Sequence, residues 1–154
     1  MNVLLSIKPE WAKKIYSGEK TIEFRKNFPL KYNLSEDCIF LYETKPVFAV
    51  TGYIVVDSYI NVQKIYNSIY ENRGKLIKDI TTRGCLSIEK LFEYERHLYI
   101  WGWNIKEFQK MNYEYVNRFS PSGNPPQSWC YTKAYLCNAT LNYDHPLNFN
   151  TITI

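Results

Sequence analysis

The sequence predicts an α+β fold, a small mixed β-sheet curved toward a barrel with flanking helices, and three observations predict it. "KTIEFRK" alternates apolar and polar residues at period two, and "CIFLYET" and "FAVTGYIVVDSYI" are further strand-like runs. "PEWAKKIYS" and "NVQKIYNSIYENRG" space their apolar residues as helices do. Gly52 interrupts the longest strand-like run, where a small barrel needs a bulge or bend.

The chain has 154 residues, consistent with a single domain over 1–154 that buries roughly two-thirds of its unfolded surface. It is 45% hydrophobic and 22% charged, which excludes a disordered chain. The short apolar run Val3 to Ile7, ended by Lys8 and Pro9, is too brief for a signal peptide, and no stretch reaches membrane-spanning length. A cytoplasmic protein with no membrane partner is expected. Cys38, Cys85, Cys130 and Cys137 are scattered without the close spacing of a zinc or redox motif, so they are read as reduced packing residues.

The elements follow in order. "NVLLSI" is a buried strand, and Pro9 suits the first turn of a helix running to about Ser17. Trp11, Ala12 and Ile15 make its inner face, Lys13 and Lys14 its outer one, and Gly18 supplies a left-handed stop. In the next strand Ile22 and Phe24 face the core, while Thr21, Glu23 and Arg25 form a wet face. "FPLKYNLSED" is a loop, followed by strands near 38–44 and 48–60.

Val62, Ile65, Tyr66 and Ile69 predict a helix that stops near Gly74, and residues 75–83 read as a basic, less regular piece. Ser87 caps a helix carrying Ile88, Leu91 and Phe92. "HLYIWGWNI" returns to strand, "SPSGNPPQSW" is a loop, and a last strand near 129–138 precedes an extension over about 139–154.

Several chemistries lack their residues. His97 and His145 stand without a recognisable nucleophile or ligand set, and the six glycines form no phosphate-cradling loop. Neither a metal nor another cofactor is expected. The net charge of +4 is modest, but aromatic residues reach 17% with 14 Tyr, a supply of flat faces beside cations of the kind unstacked bases use.

The charged strand after the helix stop carries the candidate chemistry. Lys20 serves as a phosphate contact or as a base or nucleophile, Glu23 as a proton acceptor, and Arg25 as a two-pronged clamp; the competing reading is a surface ion-pair strip. Lys20 and Glu23 are three apart, so a regular strand sends them to opposite faces. They share a pocket only if Lys20 lies in the turn and regular pairing begins at Thr21 or Ile22. In "NPPQSW", Trp129 offers a stacking surface and Gln127 and Ser128 offer hydrogen bonds to base edges, against a bland reading of a proline-rich turn with Trp129 plugging the barrel. Tyr53, Trp101 and Tyr131 are further stacking candidates better read as core, and Lys13, Lys14, Lys26 and Lys31 would extend a basic rim.

"SIKPEWAKKIYSGEKTIEFRK" closely resembles the signature of ASCH domains, small barrels similar to the PUA domain, in which a helix ends in G-x-K-x-x-E-x-R. Gly18, Lys20, Glu23 and Arg25 occupy those positions. "VTGYIVVD" is similar to the family's next barrel strand and "PPQSWCY" to a closing motif of phage and prophage members, so the resemblance spans about residues 3–133. It implies a cleft whose charged residues face RNA or a modified nucleobase. Some members are amidohydrolases acting on acetylated cytidine; Lys20 matches their reactive lysine, and Glu23 stands where that branch carries a threonine. The leading expectation is therefore an RNA- or nucleotide-binding module, with Lys20, Glu23, Arg25, Lys26, Gln127, Ser128 and Trp129 at its site. The alternatives are a metal-independent amidohydrolase or ribonuclease using Lys20 and Glu23, and a phage-encoded protein-interaction module.

Overall fold

The computed structural model describes residues 1–69, 71–137 and 140–143. Strand β1 (Val3–Ile7) leads through extended Lys8 into helix α1 (Pro9–Tyr16), whose Ala12 and Ile15 are buried. Gly18 takes the left-handed conformation at φ +77°, and its N–H donates to the Ile15 carbonyl at 2.9 Å. The Lys20 N–H still returns to the Lys14 carbonyl at 2.9 Å, so Lys20 belongs to the turn. Strand β2 (Ile22–Arg25) begins one residue after Thr21, at the Ile22–Asn104 pair, as the spacing argument requires.

Strands β3 (Ile39–Glu43), β4 (Ala49–Asn61), β5 (Trp101–Glu114) and β6 (Trp129–Tyr131) complete a six-stranded sheet in the order β2-β5-β4-β3-β1-β6. Among the described residues of this sheet only the β1–β3 pair is parallel. The sheet curls into a half-barrel with helices against it, a mixed α+β fold. All five residues of β1 are buried because both faces are covered: Val3, Leu5 and Ile7 pack toward α1, and Leu4 packs with Phe40 and Phe119 on the other face. Gly52 sits at a break in the β4–β5 register, where a Cβ would lie 2.2 Å from the Gln109 carbonyl oxygen. Of the bulge or bend expected at that glycine, the structure shows the register break of a bulge.

Four expectations need correction. The helix read over 61–74 ends early: α2 covers Val62–Tyr66, Ser68 turns its N–H and hydroxyl back to the Ile65 carbonyl, and Ile69 is 99% exposed. The piece read as irregular, 75–83, lies inside helix α3 (Arg73–Gly84). Its apolar stripe is narrow, but Ile80 is buried with Ile22 and Phe24, and Gly84 presses so closely on Phe24 that a Cβ would lie 2.1 Å from the ring.

The strand read over 97–105 begins at Trp101 and continues to Glu114. Residues 106–110 are all exposed and so show no inward alternation, yet Gly52 to Val55 of β4 pair with residues 107–110 and keep them in the strand. The last strand breaks at Thr132, whose hydroxyl accepts the Ala134 N–H at 3.0 Å. The chain then forms a separate hairpin of β7 (Ala134–Cys137) and β8 (Thr140–Tyr143). Asn138, His145 and the rest of the predicted tail from 144 lie outside the described residues.

Helix α4 (Ile88–Tyr94) matches its expectation, with the Ser87 hydroxyl accepting the Lys90 N–H at 3.4 Å. Helices α3 and α4 close a second apolar cluster over Ile22 and Phe24. Among the described residues no helix is long and apolar enough to cross a membrane.

Candidate nucleic-acid interface

The curl of the sheet brings its two edges, β2 and β6, together, and side chains rather than a strand ladder join them. The Arg25 guanidinium leaves β2 and donates to the Ser6 carbonyl of β1 at 2.9 Å and, more weakly, to the Ser128 hydroxyl at 3.4 Å. The Trp129 indole N–H of β6 donates to the Asn27 side-chain oxygen at 2.7 Å. The seam is therefore closed on one side by Arg25 and on the other by Trp129.

Behind Arg25 lies a buried ionic chain. Arg25 Nη2 and Nε stand 2.7 and 2.9 Å from Glu23 Oε1, and Lys20 Nζ stands 3.4 Å from Glu23 Oε2. Glu23 is 5% and Lys20 2% exposed, so this face of β2 is not wet and the motif is not a surface ion-pair strip. The reason Lys20 can be buried charged is local. Its ammonium donates to the Gly84 carbonyl at 2.6 Å, at the C-terminus of α3 where the helix dipole favours a cation. It also lies 5.4 Å from the Trp11 ring and 5.6 Å from the Phe24 ring.

Two cations thus share one carboxylate, leaving one net positive charge at the floor of a cleft. An ammonium has three donors and a guanidinium five. The contacts above leave one Lys20 N–H and one Arg25 Nη1 N–H without a partner among the described residues. The cleft encloses about 470 Å³, within the range of small-ligand sites. Trp11 and Tyr94 are flat surfaces in its wall, and Lys8, Lys90 and Gln127 stand around it. Burial raises the Tyr94 hydroxyl pKa, with Arg25 opposing the shift, so the ring presents a protonated phenol.

Of the residues expected at the site, the fold brings together Lys20, Glu23, Arg25 and Gln127 in the cleft lining, with Ser128 beside Arg25. Lys26 reaches the rim indirectly, its ammonium 5.2 Å over the Tyr94 ring. Trp129 does not line the cleft; its ring sits edge-on to Trp103 and Tyr131. Tyr53, Trp101, Tyr131, Lys13, Lys14 and Lys31 are also outside the lining, and Lys14 is engaged by Glu19 at 2.5 Å. His97 is exposed, 5.9 Å from Tyr99. No cluster of three His, Cys, Asp or Glu side chains suited to a metal ion occurs among the described residues.

Sequence reasoning missed Lys8, Trp11, Lys90 and Tyr94 as site residues. Lys90 and Tyr94 are four apart on α4 and share a face, a visible spacing, but only the tertiary fold puts that face over β2.

Comparison with known proteins agrees with this architecture. A family model described as the ASCH domain matches residues 5–122. A curated protein of Zymomonas mobilis subsp. mobilis, an ASCH domain-containing ribonuclease, is 36% identical over 72 residues. That match spans 47% of this chain and 46% of the relative, under half the length of each. The crystal structure of ASCH from Zymomonas mobilis superposes with a TM-score of 0.66 at 25% identity, covering 84% of this chain and 86% of that one. A tyrosine-to-phenylalanine variant of the same protein gives a TM-score of 0.66 at 24% identity, covering 84% and 88%. With a matching family model over most of its length, the chain belongs to the ASCH domain family.

Proposed function

We propose that the chain binds RNA, taking an unstacked nucleotide into the cleft above Lys20, Glu23 and Arg25. The observation that carries this reading is the excess charge: two cations, Lys20 buried and Arg25 partly exposed, share one buried carboxylate, so the floor attracts a phosphate or an electron-rich base carbonyl. Trp11 and Tyr94 supply stacking faces in the wall, and Gln127 can hydrogen-bond a base edge.

Titration of a fluorescent single-stranded RNA against the protein and its Lys20→Met/Arg25→Gln variant tests the reading. Affinity at least tenfold weaker, with a shallower salt dependence, is expected. Unchanged affinity and slope in a folded variant would refute it, and a protein partner captured without nucleic acid would then favour an interaction module.

A second reading, a ribonuclease that works through these side chains without a metal, draws on a relative whose name is ASCH domain-containing ribonuclease. In it the free N–H groups of Lys20 and Arg25 stabilise the charge that builds on the scissile phosphate. Glu23 has both oxygens engaged by cations, so its first contribution is to hold them in place, and it accepts a proton only when one of those contacts opens. Loss of full-length RNA with the wild-type chain but not with Lys20→Met supports cleavage; intact RNA in both leaves binding. N-acetylcytidine assayed in parallel separates nucleoside hydrolysis from either.

A further inference from the structure

We propose that the outer side of β5 over residues 106–110 takes a short extended segment of another protein as an added strand, one that carries carboxylates on either side of an apolar residue. The site is separate from the cleft and does not depend on the RNA reading.

The first observation is an overhang. Strand β2 pairs with β5 only from Trp101 to Asn104, and the Ile105 N–H then reaches the Thr21 carbonyl at 2.9 Å. Beyond that point β5 runs on to Glu114 with β4 on one side and, among the described residues, no backbone hydrogen bond on the other. In an antiparallel pair alternate residues turn both backbone groups away from the partner strand, so the regularly paired stretch 107–110 presents donors and acceptors outward. Residues 106–110 are all exposed. Register breaks lie at both ends of the stretch, between Val55 and Val56 and between Val50 and Gly52, so a guest strand is limited to the length of 106–110.

The second observation is the side chains. Phe108 and Lys110, opposite Ile54 and Gly52, share one face, while Glu107 and Gln109 lie on the other. Phe108 is 43% exposed. The Lys110 ammonium lies 5.3 Å over the Tyr16 ring and has no carboxylate within ion-pair distance among the described residues. Lys106 meets its neighbour Glu107 at 3.4 Å with both side chains exposed, a weak contact. Two lysines thus bracket an aromatic residue, against one carboxylate that a lysine already offsets.

These features select the guest. Opposite charges facing each other across an antiparallel pair stabilise it and like charges oppose it. The fitting segment therefore reads acidic, any, apolar, any, acidic, with its apolar residue opposite Phe108 and its carboxylates opposite Lys106 and Lys110. Two-fold pairing with a second copy about Phe108 would set Lys106 against Lys110 at both ends, which disfavours self-association through this stretch. Outward main-chain groups supply the affinity of such an added strand and the alternate side chains its specificity.

The test uses a fluorescent peptide, Glu-Thr-Val-Thr-Glu, and its charge-reversed form, Lys-Thr-Val-Thr-Lys. Both are titrated against the wild-type chain and Lys110→Glu, with backbone amide shifts followed by NMR, which also reports that the variant is folded. The acidic peptide should bind the wild-type chain and shift the amides of 106–110. Lys110→Glu should weaken it by about two- to thirtyfold, the range for one cross-strand pair turned from opposite to like charges, and should improve the reversed peptide. Two further acidic peptides, methylated at the valine amide or at both threonine amides, remove alternate donors, and one of them should lose binding. No binding at millimolar peptide, affinity indifferent to Lys110→Glu, or tolerance of both methylations would overturn the added strand. Displacement of the peptide by single-stranded RNA would place it in the cleft and overturn the separate site. Shifts of the same amides with protein concentration alone would make the occupant a second copy and overturn the foreign guest.

Discussion

Removing the Glu23 charge should cost more than removing Lys20, and the second substitution should change sign in the background of the first. With Glu23→Gln, Lys20 at 2% exposure and the nearby Arg25 lose their shared counter-charge. Breaking a buried ion pair from one side costs about 3–5 kcal/mol. Lys20→Met keeps the side-chain volume against Trp11 and Phe24, and Glu23 keeps its Arg25 contacts at 2.7 and 2.9 Å. What is lost is the 3.4 Å contact with Glu23, which Arg25 still neutralises, and the donor to the Gly84 carbonyl, a penalty of about 1–3 kcal/mol for a buried acceptor left unpaired. In the Glu23→Gln protein the same Met removes a cation that has no carboxylate, so the double variant should be more stable than Glu23→Gln alone. Urea unfolding of the four proteins, compared at constant m-value, gives the coupling directly. A coupling below about 0.5 kcal/mol, the level at which independent sites add, would refute shared burial of these charges.

Three further outcomes follow from other parts of the molecule. Gly52→Ala places a Cβ 2.2 Å from the Gln109 carbonyl and 2.6 Å from the Tyr16 hydroxyl, so it should lower stability by about 1–3 kcal/mol through forced overpacking; an unchanged urea midpoint would contradict the close approach. Trp129→Phe removes the indole donor to Asn27 without touching the cleft, so it should cost about 1 kcal/mol of stability while RNA affinity stays within about twofold; a large affinity loss at unchanged stability would make Trp129 a ligand residue. Burial pushes the hydroxyls of Tyr16 and Tyr32 well above their ordinary value near 10, and that of Tyr59 up to about 12. Because the folded values are raised, their contribution is intact below pH 10 and is lost as pH rises through the folded values, at up to about 1.4 kcal/mol per pH unit for each. Tyrosinate absorbance measured alongside urea midpoints should show these rings titrating only with loss of stability; all 14 tyrosines titrating together near pH 10 without that loss would contradict it.

What could be read from the chain was what its neighbours in sequence determine. Pro9, the α1 stripe, the Gly18 stop and the Ile22–Phe24 alternation are local, and together they allow Lys20 to wait in the turn, the one place from which it can share a pocket with Glu23 and where it is found. The partner that holds Lys20 was invisible for the opposite reason. It is the last carbonyl of α3, a helix whose few apolar residues and early Gly74 mask its period and whose docking on β2 is set by Ile80 and Gly84 meeting Phe24. Residues 106–110 were unreadable because neither face is buried; pairing with β4 makes them a strand. The orientation of Trp129 depends on its register opposite Leu5, which no local pattern encodes. The charged motif was therefore legible as chemistry, while its burial and the α4 wall were tertiary facts.

The side-chain seam has a consequence for how the molecule behaves among copies of itself. A closed barrel has no free edge, but this sheet ends in β2, four residues long, and β6, three residues long, facing each other across Arg25. Short edges offer little template for a foreign strand, and the guanidinium occupies the Ser6 carbonyl that an intruder would seek. The same residue that lines the cleft is also a guard on the sheet's unpaired margin. Substituting Arg25 by a small neutral residue therefore opens that margin, and the first symptom should be concentration-dependent association rather than a lower melting point.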